Sequence, residues 1–301
     1  MSRLRAACQP LTALLLVLAE LAAGTARADI PVGLGDFSWD AGQGRQVQVW
    51  TYRPESYTAD DPIVFVMHGM LRNGETYRQP WIALADENPC LVVVPEFSKQ
   101  SYPVSRMYQF GNLRDASGDW NDEAQWSFTA IEQIFDHLRQ LTGSSRQGYA
   151  MFGHSAGSQF AHRMSLFATE MRAELIVAAN AGSYTLPTFE VAYPYGLGGT
   201  PLDDAALAER LSRPLLVLLG TADNDPNSSS LPRSAGARAQ GPHRVSRGEL
   251  FYQTAQRQAE RLGISLSWTK QMVPGVGHDN KKMAPAAAEA IFEHTTPAAA
   301  P

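Results

Sequence analysis

The chain reads as an α/β protein built on a mostly parallel central sheet with helices on both faces. Three observations point there. Short runs rich in aliphatic and β-branched residues recur along its length, several are apolar without interruption, and amphipathic helical patterns lie between them. A strand covered on both faces has no solvent side, so it loses the polar alternation of a half-exposed strand. Strands alternating with helices give parallel pairs joined by right-handed crossovers.

The predicted strands fall at 47–52, 63–67, 90–95, 149–152, 175–179, 215–219 and 266–272. The clearest helix spans 123–141, where Trp126, Ala130, Ile134 and Leu138 share one face and Gly143 supplies the stop. Further helices are expected at 76–87, with Pro80 near its start, and at 156–169, 203–211, 247–262 and 283–292. Two connections, 97–122 and 182–202, are longer than the fold requires and should emerge at the carboxyl ends of strands, where functional loops of such sheets gather. They carry Tyr102, Tyr108, Phe110, Trp120, Tyr184, Tyr193 and Tyr195, which either wall a binding site or pack the loops onto the domain.

The first residues have the pattern of a secretory signal. Arg3 and Arg5 give a positive start, 11–21 is an apolar run interrupted by Glu20, and Ala26-Arg27-Ala28 is a small-x-small cleavage site. The run is too short for a bilayer span, so no stable membrane anchor is expected. Cleavage after residue 28 would leave 29–301 as a single domain, with no Gly/Ser linker inside it and a Pro-rich tail expected to fray from about 295. The chain's net charge of −5 becomes more negative when Arg3, Arg5 and Arg27 leave with one glutamate. That balance argues against sequence-independent binding to nucleic acid. Of the two cysteines only Cys90 follows the cleavage site, so stability must come from the core, and export without disulfides suits a bacterial periplasm or the medium.

The most informative segment is Gly153-His154-Ser155-Ala156-Gly157, placed where an apolar strand gives way to a helix. A serine on that sharp turn presents its hydroxyl at the top of the sheet, and glycines on both sides let the turn close. A serine hydroxyl is a weak nucleophile at neutral pH. It needs a base to take its proton and an acid to orient that base.

His278, in the Gly-rich loop 274–279 between the last strand and the last helix, is the expected base. The other histidines have plainer readings: His137 and His162 lie on helices, His154 lines the pocket, and His243 and His294 lie in a polar loop and near the tail. The acid is expected directly after the 215–219 strand, at Asp223, with Asp225 left as an alternative and Asp279 as a loop-shaping residue. The segment 223–227 alternates oxygen-bearing side chains but lacks the glycine and glutamate of a calcium loop, and no histidine pair has zinc spacing, so neither metal nor cofactor is expected. Two backbone N–H groups should hold the oxyanion: Ala156, the residue after the nucleophile, and Met70, following His68-Gly69 at the end of the 63–67 strand.

Through His68-Gly69-Met70, Gly153-His154-Ser155-Ala156-Gly157, Gly220-Thr221-Ala222-Asp223 and Gly277-His278, in that order, the chain resembles the α/β-hydrolase superfamily over nearly all of 29–301. Within it the sequence is similar to secreted esterases of the polyhydroxybutyrate depolymerase and feruloyl esterase type. The single glycine after His68 departs from the HGGG form of some relatives, and no polymer-binding domain is visible. The resemblance implies a serine hydrolase acting on a small or polymeric carboxylic ester. A peptidase or amidase on the same triad and a catalytically silent binding module are the alternatives, since fold alone does not dictate function.

Overall fold

The computed structural model describes residues 29–295; residues 1–28, where a signal segment is expected, and residues 296–301 lie outside it. Eight strands form one sheet: β1 (Gly33–Asp40), β2 (Gln46–Arg53), β3 (Ile63–Met67), β4 (Leu91–Glu96), β5 (Tyr149–His154), β6 (Ala173–Ala179), β7 (Leu215–Gly220) and β8 (Trp268–Val273). Their order is β1-β2-β4-β3-β5-β6-β7-β8. The β1–β2 and β2–β4 pairs are antiparallel and the remaining pairs parallel. The helices are α1 (Gly74–Glu87), α2 (Ser127–Thr142), α3 (Ala156–Phe167), α4 (Asp204–Leu211), α5 (Ala235–Ala239), α6 (Arg244–Leu262) and α7 (Asn280–Thr295).

Strand β3 shows why its sequence is apolar throughout. Ile63, Phe65 and Met67 enter a core shared with α2, α3 and α6, through residues such as Ile134, Phe160 and Phe251. Val64 and Val66 enter the opposite core with Trp81 of α1 and Ile291 of α7. All five are wholly buried, so a polar residue at any of them would lose its hydration on either face.

Several boundaries differ from the sequence expectation for local reasons. Strand β1 was not anticipated: it contains two glycines and two aspartates, and its burial alternates because it is the antiparallel edge. Helix α2 starts at Ser127, since the Asp122 carboxylate caps a separate single turn and Trp126 (φ −68, ψ 144) is extended between them. Gly143 ends α2 in the left-handed conformation (φ 68), as expected. Helix α6 starts at Arg244 because His243 and Ser246 cap each other reciprocally, a pairing with an unusual capping residue.

Pro80 lies inside α1 and not near its start. The helix begins at Gly74, whose N–H donates to the Glu96 carboxylate at 2.7 Å. Helix α7 continues to Thr295, which is buried and donates to the Ile291 carbonyl at 2.9 Å. The tail expected to fray from about 295 lies outside the described residues.

The loop aromatics pack the loops down. Tyr102, Tyr108 and Tyr184 are buried, and Trp120, Tyr193 and Phe167 form a cluster over which Arg114 stacks. Among the described residues, none of the seven named aromatics lines the cavity at Ser155.

Candidate active site

Ser155 sits between β5 and α3 with φ 59 and ψ −115, a left-handed region that a non-glycine residue occupies at a cost. The surrounding chain holds it there. Its N–H donates to the Ala179 carbonyl at 3.0 Å, and its carbonyl accepts from Gln159 at 3.1 Å. A Cβ on Gly153 would lie 2.3 Å from the Gly157 carbonyl oxygen, and one on Gly157 would lie 2.0 Å from that of Met67. Both glycines are therefore required by backbone contact.

The three predicted side chains converge. His278 Nε2 lies 2.9 Å from Ser155 Oγ, and His278 Nδ1 lies 2.6 Å from Asp223 Oδ2. With Asp223 accepting at Nδ1, that nitrogen carries the proton and Nε2 is left to accept from the serine hydroxyl. Asp223 is 5% exposed, so water does not compete for its carboxylate. The alternative acid, Asp225, instead accepts the N–H of Asn227. Asp279 shapes the start of α7 by accepting from Lys281 and Lys282 N–H.

Two residues without any recognisable motif build this geometry. Arg244, 1% exposed, donates to Asp223 Oδ1 at 3.2 Å, to Ser228 Oγ at 3.3 Å and to Ser230 Oγ at 2.8 Å. Asn180 accepts from Gly220 N–H at 2.9 Å and donates to the Gly277 carbonyl at 3.3 Å, tying the acid's loop to the histidine's. A helix-start arginine and a buried asparagine after a strand have no fixed spacing from the triad. The only available signal was at Asn180, a polar residue directly after an apolar strand.

Ser155 and His278 open on a cavity of about 420 Å³ that Met70, Leu71, Tyr77, His154 and Ser230 also line. Neither Met70 N–H nor Ala156 N–H has a hydrogen-bond acceptor among the described residues. The segment bearing Met70 is held from beneath: Tyr108 donates to the His68 carbonyl at 2.6 Å, and His68 Nε2 accepts from Phe97 N–H at 3.0 Å. Tyr77 clamps it from the side. Its hydroxyl lies against Gly69 and 3.3 Å from His154 Nδ1, and a Cβ at Gly69 would meet that oxygen at 2.6 Å.

Burial pushes the Tyr77 hydroxyl up to about 12, so it remains a donor. His154 lies against His278 with ring centroids 4.6 Å apart. Desolvation, then the charges of His278 and Arg244, hold its pKa well below the usual value. It therefore lines the pocket as a neutral ring, as the sequence placed it, while His162 is buried between the Ser158 carbonyl and Thr185 N–H.

An eight-stranded sheet with a serine elbow and a hydrogen-bonded Ser-His-Asp chain defines an α/β-hydrolase-fold enzyme of the serine esterase type. No protein-family model matches the chain, and no curated protein does. Solved structures do. Poly(aspartic acid) hydrolase-1 from Sphingomonas sp. KT-1 is 39% identical over 87% of this chain and 100% of that one, with a TM-score of 0.85. LpqC, a poly(3-hydroxybutyrate) depolymerase from Bordetella parapertussis, is 36% identical over 89% and 93%, with a TM-score of 0.82. An S-formylglutathione hydrolase from Agrobacterium tumefaciens, at 16% identity and a TM-score of 0.57, shares the fold. The chain belongs to the α/β-hydrolase superfamily, in the group that holds the first two of these hydrolases.

Proposed function

We propose that the protein is an exported serine hydrolase that cleaves carboxylic esters, small or polymeric, through an acyl-enzyme on Ser155. The observation that carries this reading is the unbroken chain from Asp223 Oδ2 through His278 to Ser155 Oγ, at 2.6 and 2.9 Å. Ser155 Oγ attacks the ester carbonyl as its proton passes to His278 Nε2. Asp223 stabilises the imidazolium without taking the proton. Met70 and Ala156 N–H groups receive the oxyanion, and the start of α3 adds its positive dipole end. Collapse breaks the carbonyl-to-alkoxy bond, and His278 returns the proton to the departing alcohol. Water, deprotonated by the same histidine, then releases the acid.

Support for export comes from Arg3, Arg5, the apolar run and Ala26-Arg27-Ala28. Among the described residues no helix is long and apolar enough to cross a membrane. No cofactor, nucleic acid or stable membrane anchor enters the reading.

A second reading, amide hydrolysis on the same residues, is favoured by one observation: the relative at 39% identity is a hydrolase of poly(aspartic acid), a chain joined by amide bonds. The relative at 36% identity depolymerises a polyester. Turnover of p-nitrophenyl butyrate, of hydroxybutyrate oligomers and of aspartyl oligomers separates them. The ester reading expects higher kcat/KM on the esters and loss of all turnover in Ser155→Ala; higher kcat/KM on amides overturns it, and full ester turnover by Ser155→Ala overturns both.

A further inference from the structure

A cavity of about 980 Å³ lies apart from Ser155, which does not line it. It opens between the turn joining β1 to β2 and the chain that follows β4, and most of the residues that line it are polar. Strand β2 runs antiparallel to β4, so Gln46 at the start of β2 lies beyond the carboxyl end of β4. The cavity therefore shares the carboxyl edge of the sheet with Ser155, which follows β5. From β5 through β3 and β4 to β2 is three strand spacings, about 14 Å. An extended polymer covers that distance in about four backbone units.

Two guanidinium groups face this cavity, and neither forms an ion pair among the described residues. Arg45, 8% exposed, donates through Nη1 to the Gln125 carbonyl at 3.3 Å and keeps Nη2 without a protein acceptor. Arg106 donates through Nη1 to Asn112 Oδ1 and the Arg114 carbonyl, and its Nη2 is likewise unused. The one carboxylate on the wall, Asp115, already accepts the N–H groups of Ser117, Gly118 and Asp119. Lys99, exposed, sits between two lining residues, Ser98 and Gln100. In a chain of net negative charge, this is a local excess of cations with open donors. Forked guanidinium donors match carboxylates, and side-chain amides such as those of Gln46 and Gln100 can bond either carboxylate or backbone carbonyl.

We infer that this cavity is a second binding site, which holds a carboxylate-bearing stretch of a polymeric substrate about four units away from the bond presented to Ser155. The inference rests on the hydrolase reading only for the direction in which the chain leads. A loop-thick partition joins the two places: Arg72, beside Met70, donates to the Phe97 carbonyl and stacks on Tyr108 at 4.2 Å, so the 97–108 chain is wall to the polar cavity and support to the oxyanion segment.

Binding is tested apart from chemistry, on Ser155→Ala protein titrated calorimetrically with poly(aspartic acid), with a neutral polyhydroxylated oligomer as the control. Gln46 and Gln100 are exposed, so Gln46→Glu/Gln100→Glu places two negative charges at the cavity without disturbing the core. Affinity for the polyanion should fall about fivefold or more in that variant, rise in Gln46→Lys/Gln100→Lys, and weaken with added salt. In otherwise wild-type protein, both pairs should leave p-nitrophenyl butyrate turnover unchanged. Equal affinity in the Glu and Lys variants, or the same change with the neutral oligomer, overturns the second site. If the polyanion binds as expected but p-nitrophenyl butyrate is not turned over by the unmodified enzyme, the catalytic reading fails and the site stands.

Discussion

Arg244 donates to Asp223 across 3.2 Å, and both side chains are almost completely buried. The carboxylate thus has a cation on one oxygen and the His278 ring on the other. Removing a single member of such a pair leaves the other charged and unsolvated, which costs about 3–5 kcal/mol. Arg244→Met should therefore lower the melting temperature and also reduce kcat, because Asp223 loses the contact that fixes its orientation. Thermal unfolding together with steady-state ester kinetics checks this; a variant as stable and active as the parent would remove Arg244 from the account.

The choice of acid has its own test. Asp223→Asn should reduce kcat by about 10⁴, since the amide can leave the imidazole in the wrong tautomer. Asp225→Asn removes only an exposed turn contact, so its effect on stability should stay within about 0.5 kcal/mol and kcat should not move. Comparable losses in the two variants would mean the acid is not settled on Asp223.

Much of this site was legible before the structure, and the reason is chemical. Ser155, His278 and Asp223 each stand directly beyond a strand or its loop, and Gly153 and Gly157 mark a turn that no side chain would permit. The supporting residues were not legible. Arg244 reaches the acid only because α6 starts three residues earlier than its apolar pattern implies, on a histidine cap. The polar cavity depends on β1, whose glycines and aspartates conceal an edge strand, and on how the 97–112 chain folds back against it. Aromatic content in the long loops was a signal of packing, with Tyr102 and Tyr108 buried beneath the loop they belong to.

Tyr77 provides a prediction for the oxyanion segment. Its hydroxyl lies against Gly69 and faces His154, so Tyr77→Phe keeps the ring packing and removes only that clamp. The account expects a drop in kcat of roughly tenfold, about 1.4 kcal/mol, with KM nearly unchanged, because the oxyanion forms only after binding. A rise in KM with constant kcat would assign Tyr77 to substrate binding instead.

Three buried histidines set an acid limit. Burial lowers His68 to about 3 and holds His154 and His162 well below the usual value. In the unfolded chain each titrates near 6.5, so between the two values the unfolded state binds protons that the folded state refuses. Their stabilising contribution is complete above about pH 6.5 and is lost as the pH falls, by up to about 1.4 kcal/mol per unit for each group. The denaturant midpoint should decline steadily from about pH 7 to about pH 5, and replacing His162 by Gln should make that decline shallower. A midpoint that stays level over this range contradicts the buried neutral rings.

The central claim is that Ser155 is a nucleophile activated by His278, and the most direct measurement is covalent capture. Folded enzyme treated with a fluorophosphonate, then digested and mapped by mass spectrometry, should carry a single adduct on Ser155, and His278→Ala should slow its formation by several orders of magnitude. An adduct on another serine, or equally fast labelling without His278, would contradict the account.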